Sequence, residues 1–156
     1  MPQSKTLNTW NRLSGTAAGR WLFSRAVCIK APYFMSIRPV MDELEPGRAV
    51  ARLKKRRRVQ NHIGTVHAIA CANLCEFVAG LLAEATTPVG MRWIPKGMTI
   101  DYLAKAGTSL RAVGQMPDVT QDENQDVVVS VDVFDREGTI VVHADITMYL
   151  SVRPAK

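Results

Sequence analysis

One carboxylate, Glu76, stands in a stretch, 63–83, that carries no other formal charge and in which His67 and Asn73 are the other strongly polar side chains. Apolar residues fall on every side of the helix this stretch predicts, which is the pattern of a helix placed in the middle of a fold. Burial disfavours an ionised carboxyl, raises its pKa and suits it to accept and return a proton near neutral pH. The structural alternative for the same residue is an acid satisfied by backbone amides or by an arginine. About twenty apolar residues would also span a bilayer, but an acid near the centre argues against a transmembrane reading. At the helix start, Gly64 to Ala68 offers unpaired backbone N–H groups and a positive dipole end.

The elements that must position these groups follow from periodicity. Leu7, Trp10, Leu13, Ala17, Trp21 and Ala26 lie at mixed helical spacing, interrupted by Gly15 and Gly19 and stopped before Pro32, which predicts one or two short helices. Residues 35–44 and 48–57, separated by Glu45-Pro46-Gly47, read as a hairpin. The long helix covers roughly 65–85. After Pro88-Val89-Gly90 the period changes to two over 91–104, 109–116, 126–135 and 139–152, with turn-like breaks between, so three consecutive hairpins are expected. One helix against about six strands is an α+β layer arrangement. The division expected is a helical segment over 1–32 and a sheet domain over 33–156, within one compact unit.

Composition agrees with an ordinary globular domain: 156 residues, 47% hydrophobic and 22% charged. Three cysteines, Cys28, Cys71 and Cys75, make an odd set, and the last two fall one turn apart as small packing residues. A reducing, cytoplasmic location is the expectation, with no secretory signal in the first twenty residues. The net charge of +6 points to an anionic partner, and Lys54, Lys55, Arg56, Arg57 and Arg58 concentrate it. No aromatic residue interleaves that run, so nucleic acid is not expected. A solvated strand end and a phosphorylated small molecule remain as its two readings.

The pattern resembles the hotdog fold, in which a long central helix is wrapped by an antiparallel sheet, and more narrowly the thioesterases related to phenylacetyl-CoA thioesterase. Element order and lengths agree over 33–152. Those enzymes begin their helix with an Asn-x-x-Gly-x-x-His-Gly-Gly segment and carry an acid nine residues after the His. Asn61, Gly64, His67 and Glu76 stand at these positions, with Ala68 and Ile69 in place of the glycine pair. The chain is also similar to a hotdog subgroup of undefined function that clusters with these thioesterases. Acyl-carrier-protein dehydratases of the same superfamily separate His and Glu by fourteen positions, as His62 and Glu76 are separated here. Their proline-rich segment is missing, because Ile63, Gly64 and Thr65 follow His62.

The resemblance implies thioester hydrolysis, which needs an attacking oxygen and donors aimed at the carbonyl oxygen as it gains charge. Glu76 is then general base or nucleophile, and the Ala68 amide near Gly64 is an oxyanion donor that the Asn61 side chain supplements. His67 either orients thioester or water, or simply caps the helix. Ala68 and Glu76 are eight residues apart, a rise of roughly 12 Å, too far to serve one carbonyl carbon. A homodimer or tetramer with antiparallel helices would bring Glu76 of one chain to Asn61 and Ala68 of another, as in the resembled enzymes. Phe77, Gly80 and Leu81 are candidates to line an acyl path, with core packing as their alternative. Lys96, Gly97, Arg92, Arg111 and the 54–58 run are candidates for CoA phosphates. No cofactor is expected beyond the CoA of the substrate, and no metal, since neither the histidines nor the cysteines have ligand spacing. The expectation is a cytoplasmic acyl-CoA thioesterase with no membrane partner; the rivals are a non-catalytic acyl-thioester binding or sensing protein and a dehydratase.

Overall fold

The computed structural model describes residues 4–154, so the first three residues of the 1–32 segment and the last two of 33–156 lie outside it. Helix α1, Lys5–Leu13, is capped by Ser4, whose hydroxyl accepts from the Leu7 N–H at 3.2 Å. Helix α2, Ala17–Lys30, is capped in the same way by Thr16. The two helices turn tightly at Ser14 to Thr16, and a Cβ on Gly19 would lie 1.9 Å from the Leu13 carbonyl oxygen. Pro32 then ends helical continuation and opens a 3-10 turn, Pro32–Ser36.

Strands β1, Val40–Glu45, and β2, Arg48–Leu53, form the first hairpin around Gly47 at φ +82°. A 3-10 turn, Arg57–Val59, precedes helix α3, Ala68–Thr86. Strands β3 (Met91–Tyr102), β4 (Leu110–Gln115), β5 (Gln125–Phe134) and β6 (Ile140–Val152) complete the chain. The hairpin is shorter than its alternation suggests, since Met35 and Ser36 belong to the turn begun by Pro32 and β1 starts only at Val40. The basic residues of 54–58 leave the sheet instead of ending a strand.

All strand pairs are antiparallel, in the order β1-β2-β4-β5-β6-β3. This corrects the three consecutive hairpins: β3 does not pair with β4 but crosses to the far edge beside β6. Local alternation fixes which face of a strand is buried and carries no information on which neighbour it takes. The long helix lies against this sheet and touches all six strands, the α+β hotdog arrangement that the resemblance implies.

The core sits between α3 and the sheet. Leu74, Cys75, Phe77, Val78, Leu82 and Ala83 of α3 are fully buried, as are Val129, Val131, Ala144, Ile146 and Met148 on the facing strands. By length and composition α3 would cross a membrane, but 67% of its most apolar window is inside the fold. The closest approach is at Gly114 on β4, where a Cβ would stand 2.6 Å from Val78 Cγ1 and 3.3 Å from Leu82 Cδ2. Valine has one strongly preferred rotamer in a helix and cannot swing aside. Gly114→Ala is therefore expected to destabilise the fold by about 1–3 kcal/mol, the usual range for overpacking, read as a lower urea midpoint with unchanged slope.

Candidate functional site

The segment before α3 is folded on itself through Asn61. Its carboxamide oxygen accepts from the Ile63 and Thr65 N–H groups, both at 3.1 Å, and its Nδ2 donates to Thr65 Oγ1 at 2.8 Å. The backbone closes the same loop, Asn61 N–H to Thr65 O and Gly64 N–H to Asn61 O, with Gly64 at φ +79°. Only one Nδ2 hydrogen of Asn61 is used in this way. Val66 N–H then donates to Ala106 O and His67 N–H to Val59 O, which pins the chain where the helix begins.

His67 is the N-cap, its Nδ1 accepting from the Ile69 N–H at 3.1 Å. Of the alternatives for this histidine, the capping one is what the geometry shows, and α3 accordingly starts at Ala68 instead of near Thr65. No hydrogen bond among the described residues uses the Ala68 N–H, so it remains an open donor at the positive end of a 19-residue helix. On the following peptide unit, the Tyr102 hydroxyl donates to Ala68 O at 3.2 Å and ties β3 to the helix start.

Two turns further on, Glu76 is half-buried and faces an open apolar cleft of about 520 Å³. Pro32, Tyr33 and Phe34 form one wall of the cleft, Ile69, Ala72 and Asn73 of α3 another, and Met98 of β3 a third. Burial pushes the Glu76 carboxyl above the ordinary glutamate range. Among the described residues no hydrogen bond or ion pair engages it, unlike Glu84, the other acid of α3. Glu84 accepts from Trp93 Nε1 at 3.0 Å and from the Thr6 hydroxyl at 3.4 Å. Among the described residues, then, Glu76 has no backbone amide or arginine to satisfy it. An unpartnered half-buried carboxylate in a cleft is the usual setting of a working acid or base.

A smaller cavity of about 180 Å³ adjoins the cleft and shares Tyr33, Ile69 and Asn73 with it. His67, Gln60 and Arg58 line its far side. Asn73 lies one turn before Glu76 on the same face, and its Nδ2 donates to Ser36 Oγ at 3.2 Å, holding the Pro32–Ser36 turn over the helix. The site thus depends on Asn73, Tyr33, Phe34 and Met98, none of which was singled out for a role from sequence. Asn73 carried a usable signal, being polar and three residues from Glu76. The turn and β3 carried none, because their approach to α3 is set by tertiary packing.

The remaining candidates separate. Phe77 and Leu81 are core residues, Phe77 packed edge-on against Phe34 at 5.2 Å between ring centroids. A Cβ on Gly80 would meet the Trp93 ring at 3.4 Å. Lys96 pairs with Asp126 at 2.6 Å, Gly97 lies at the bulge in β3, and Arg92 donates to Ser151. Arg111 lies over the Phe134 ring on the sheet face away from α3. Of the basic candidates only Arg58 lines either cavity, and His62 lines neither. Cys71 and Cys75 are buried free thiols with pKa values pushed up by burial to about 11 and about 12, which makes them inert packing groups. Among the described residues no cluster of His, Cys, Asp or Glu could hold a metal ion.

Comparison with known proteins fits this architecture. The profile of the family described as Domain of unknown function (DUF4442) matches residues 19–150. A crystal structure known as genomics APC5556 is 40% identical, covers 95% of this chain and 98% of its own, and superposes with a TM-score of 0.83. A protein of unknown function from Pseudomonas aeruginosa, PA5026, named a probable thioesterase, is 20% identical over 85% of this chain and 95% of its own, with a TM-score of 0.75. A hypothetical thioesterase from Streptococcus pneumoniae, solved with coenzyme A, is 19% identical over 82% and 99%, with a TM-score of 0.67. No curated protein matches the chain in sequence.

The environment of Glu76 has a consequence for stability. Its pKa is higher in the folded protein than in the unfolded chain, so the folded state holds the proton more tightly. Stability from this group is complete below the unfolded value and is lost as pH rises through the folded one. Glu76→Gln removes that loss. Its melting temperature should exceed the parent's at neutral pH, and the difference should vanish as pH falls below the ordinary glutamate value, as scanning calorimetry across pH will show.

Proposed function

The chain belongs to the DUF4442 family, and from that premise we propose that it is an acyl-CoA thioesterase whose active site is shared between two copies. The observation that carries the reading is the Glu76 carboxylate, half-buried and unpartnered beside an apolar cleft in the fold of proteins named thioesterases. The resemblance to the coenzyme A complex supports CoA as the carrier.

In this reading Glu76 takes a proton from water as the water oxygen adds to the thioester carbon. The oxygen that becomes negative is held by the Ala68 N–H of the second copy, with the spare Nδ2 hydrogen of Asn61 as a second donor. Collapse of the adduct breaks the carbon–sulfur bond, and the departing thiolate recovers the proton from Glu76, leaving carboxylic acid and free CoA thiol. Donors placed beforehand at a developing oxyanion are the largest contribution a site of this kind makes. Arg58, at the far side of the smaller cavity, is the basic candidate best placed for a CoA phosphate.

A second copy is required because Ala68 and Glu76 belong to one rigid helix. Two features support where it sits. Strand β3 is a 12-residue sheet edge with no neighbouring strand on its outer side among the described residues, a row of backbone groups suited to strand pairing. Ile63 and Ile69 at the helix start and Ile94 on β3 are exposed at 61%, 56% and 62%, apolar surface that a partner would cover. A non-catalytic binding protein has no need of an unsatisfied carboxylate in its cleft, and the state of Glu76 favours the hydrolase.

A free-thiol assay over aryl, short and long acyl-CoAs should find a substrate. On that substrate Glu76→Gln should lower turnover by on the order of 10²-fold or more, the contribution of a general base. Asn61→Ala should lower it less, since the Ala68 amide remains. Parent-rate hydrolysis by a folded Glu76→Gln protein would make the carboxylate structural. Light scattering should give a dimer or a multiple of it, and a monomer alone at micromolar concentration would end the shared-site mechanism.

A further inference from the structure

The charge of this chain is unevenly placed. Its first 41 residues contain Lys5, Arg12, Arg20, Arg25, Lys30 and Arg38 with no Asp or Glu, so the whole net charge of +6 resides there. The same segment includes α2, whose surface is unusual for a helix on the outside of a fold. Phe23, Ser24 and Cys28 are buried against the domain, yet the opposite face is apolar as well. Trp21, Leu22 and Ile29 are exposed at 54%, 52% and 74%, with Ala18 and Ala26 between them, and Tyr33 follows at 70%. Surface helices ordinarily turn charged and polar residues to solvent there.

Beside the C-terminal end of this face lies a group of four arginines. Arg56 donates to Ile37 O at 2.8 Å and Arg25 to Pro39 O, Arg58 shares a cavity wall with Tyr33, and Arg38 is exposed in the turn between them. Among the described residues none of the four forms an ion pair with a carboxylate. Burial, and then the charges of Arg38, Arg58 and Arg25, hold the Arg56 pKa below its ordinary value. Four guanidinium groups crowded together without an acid call for an external anion.

We propose that the exposed face of α2 and this arginine group dock the protein on an anionic lipid surface. Trp21, Leu22, Ile29 and Tyr33 enter the headgroup boundary, and the arginines meet lipid phosphates. An apolar helix face carrying Trp and bordered by Lys and Arg is the physical signature of a helix lying in a membrane interface. With 14 residues α2 is too short to span a bilayer, so the contact is peripheral. The expectation of no membrane partner rested on the core helix and does not bear on α2. A second copy is the poorer occupant, because α2 packs on β1, the sheet edge opposite β3, and self-pairing would bring two acid-free cationic segments together.

The test is flotation of the full chain, without acyl-CoA, with phosphatidylcholine vesicles and with vesicles that also contain phosphatidylglycerol. The parent should float with the anionic vesicles alone and be released by high salt. Arg38→Gln and Arg58→Gln should each weaken partitioning about fivefold, the contribution of one basic residue near such a surface. Leu22→Asp combined with Ile29→Asp should abolish it, and circular dichroism will confirm that these exposed positions leave the fold intact. Brominated lipid should quench fluorescence of the parent but not of Trp21→Phe, since Trp10 is buried and Trp93, half-buried against the core and bonded to Glu84, lies on β3 at the opposite sheet edge. Three results would overturn the proposal: no flotation at low salt, flotation indifferent to the Leu22 and Ile29 changes, or a lipid-free assembly that those changes dissociate. The first would reduce the arginines to a binding site for soluble anions, the second would leave a purely electrostatic contact with no helix face in the membrane, and the third would assign the face to another copy. Hydrolysis by the soluble protein is measured separately and does not depend on any of these outcomes.

Discussion

The fold depends on how closely α3 lies on its sheet. Hydrophobic burial drives the contact, but its depth is set by the missing side chain at Gly114, which lets Val78 and Leu82 settle against β4. With the helix seated there, its buried side chains are fully enclosed and its remaining face is what the Pro32–Ser36 turn and β3 can reach. Glu76 belongs to that remaining face. Packing on one side of α3 thus determines how far its carboxylate is withdrawn from water on the other.

The two acids of α3 show what that withdrawal means. Glu84 receives an indole N–H and a threonine hydroxyl, and serves to join α1, α3 and β3. Glu76 receives nothing from the described residues and carries the raised pKa that desolvation imposes. Residues that work as bases are commonly held in surroundings that do not favour their charge, at some loss of stability. Asn73 contributes to this arrangement indirectly. By holding Ser36 it keeps Tyr33 and Phe34 over the helix as cleft walls.

Much of this was legible in the sequence where a local rule carries the information. The all-round apolar run with one acid predicts α3 and the withdrawal of Glu76 from water, and alternation finds the strands after Gly90. The motif Asn61, Gly64, His67 marks the helix start, and the His67 cap agrees with one of the two readings open to it. What failed was what sequence neighbours do not decide. Strand β3 was assigned to a hairpin with β4 because adjacent strands usually pair, whereas it closes the far edge beside β6. Lys96, Gly97 and Arg111, the candidates for CoA phosphates, line neither cavity of this chain. Tyr33, Phe34 and Met98 reach Glu76 only because a proline turn and a distant strand converge on one helix.

The strand order also sets the course of folding. Arg52 pairs with Arg111 and Met91 with Val152, partners far apart in the chain, so no sheet neighbour of β2 other than β1, and no neighbour of β3 at all, exists until late in synthesis. High contact order of this kind slows folding, because long loops must close before the pairing that rewards them. During that interval α3, apolar enough to be mistaken for a membrane span, has already left the ribosome while β3 to β6, four of the six strands that cover it, have not. The most apolar helix of the chain therefore gains its full cover only once β6 has emerged.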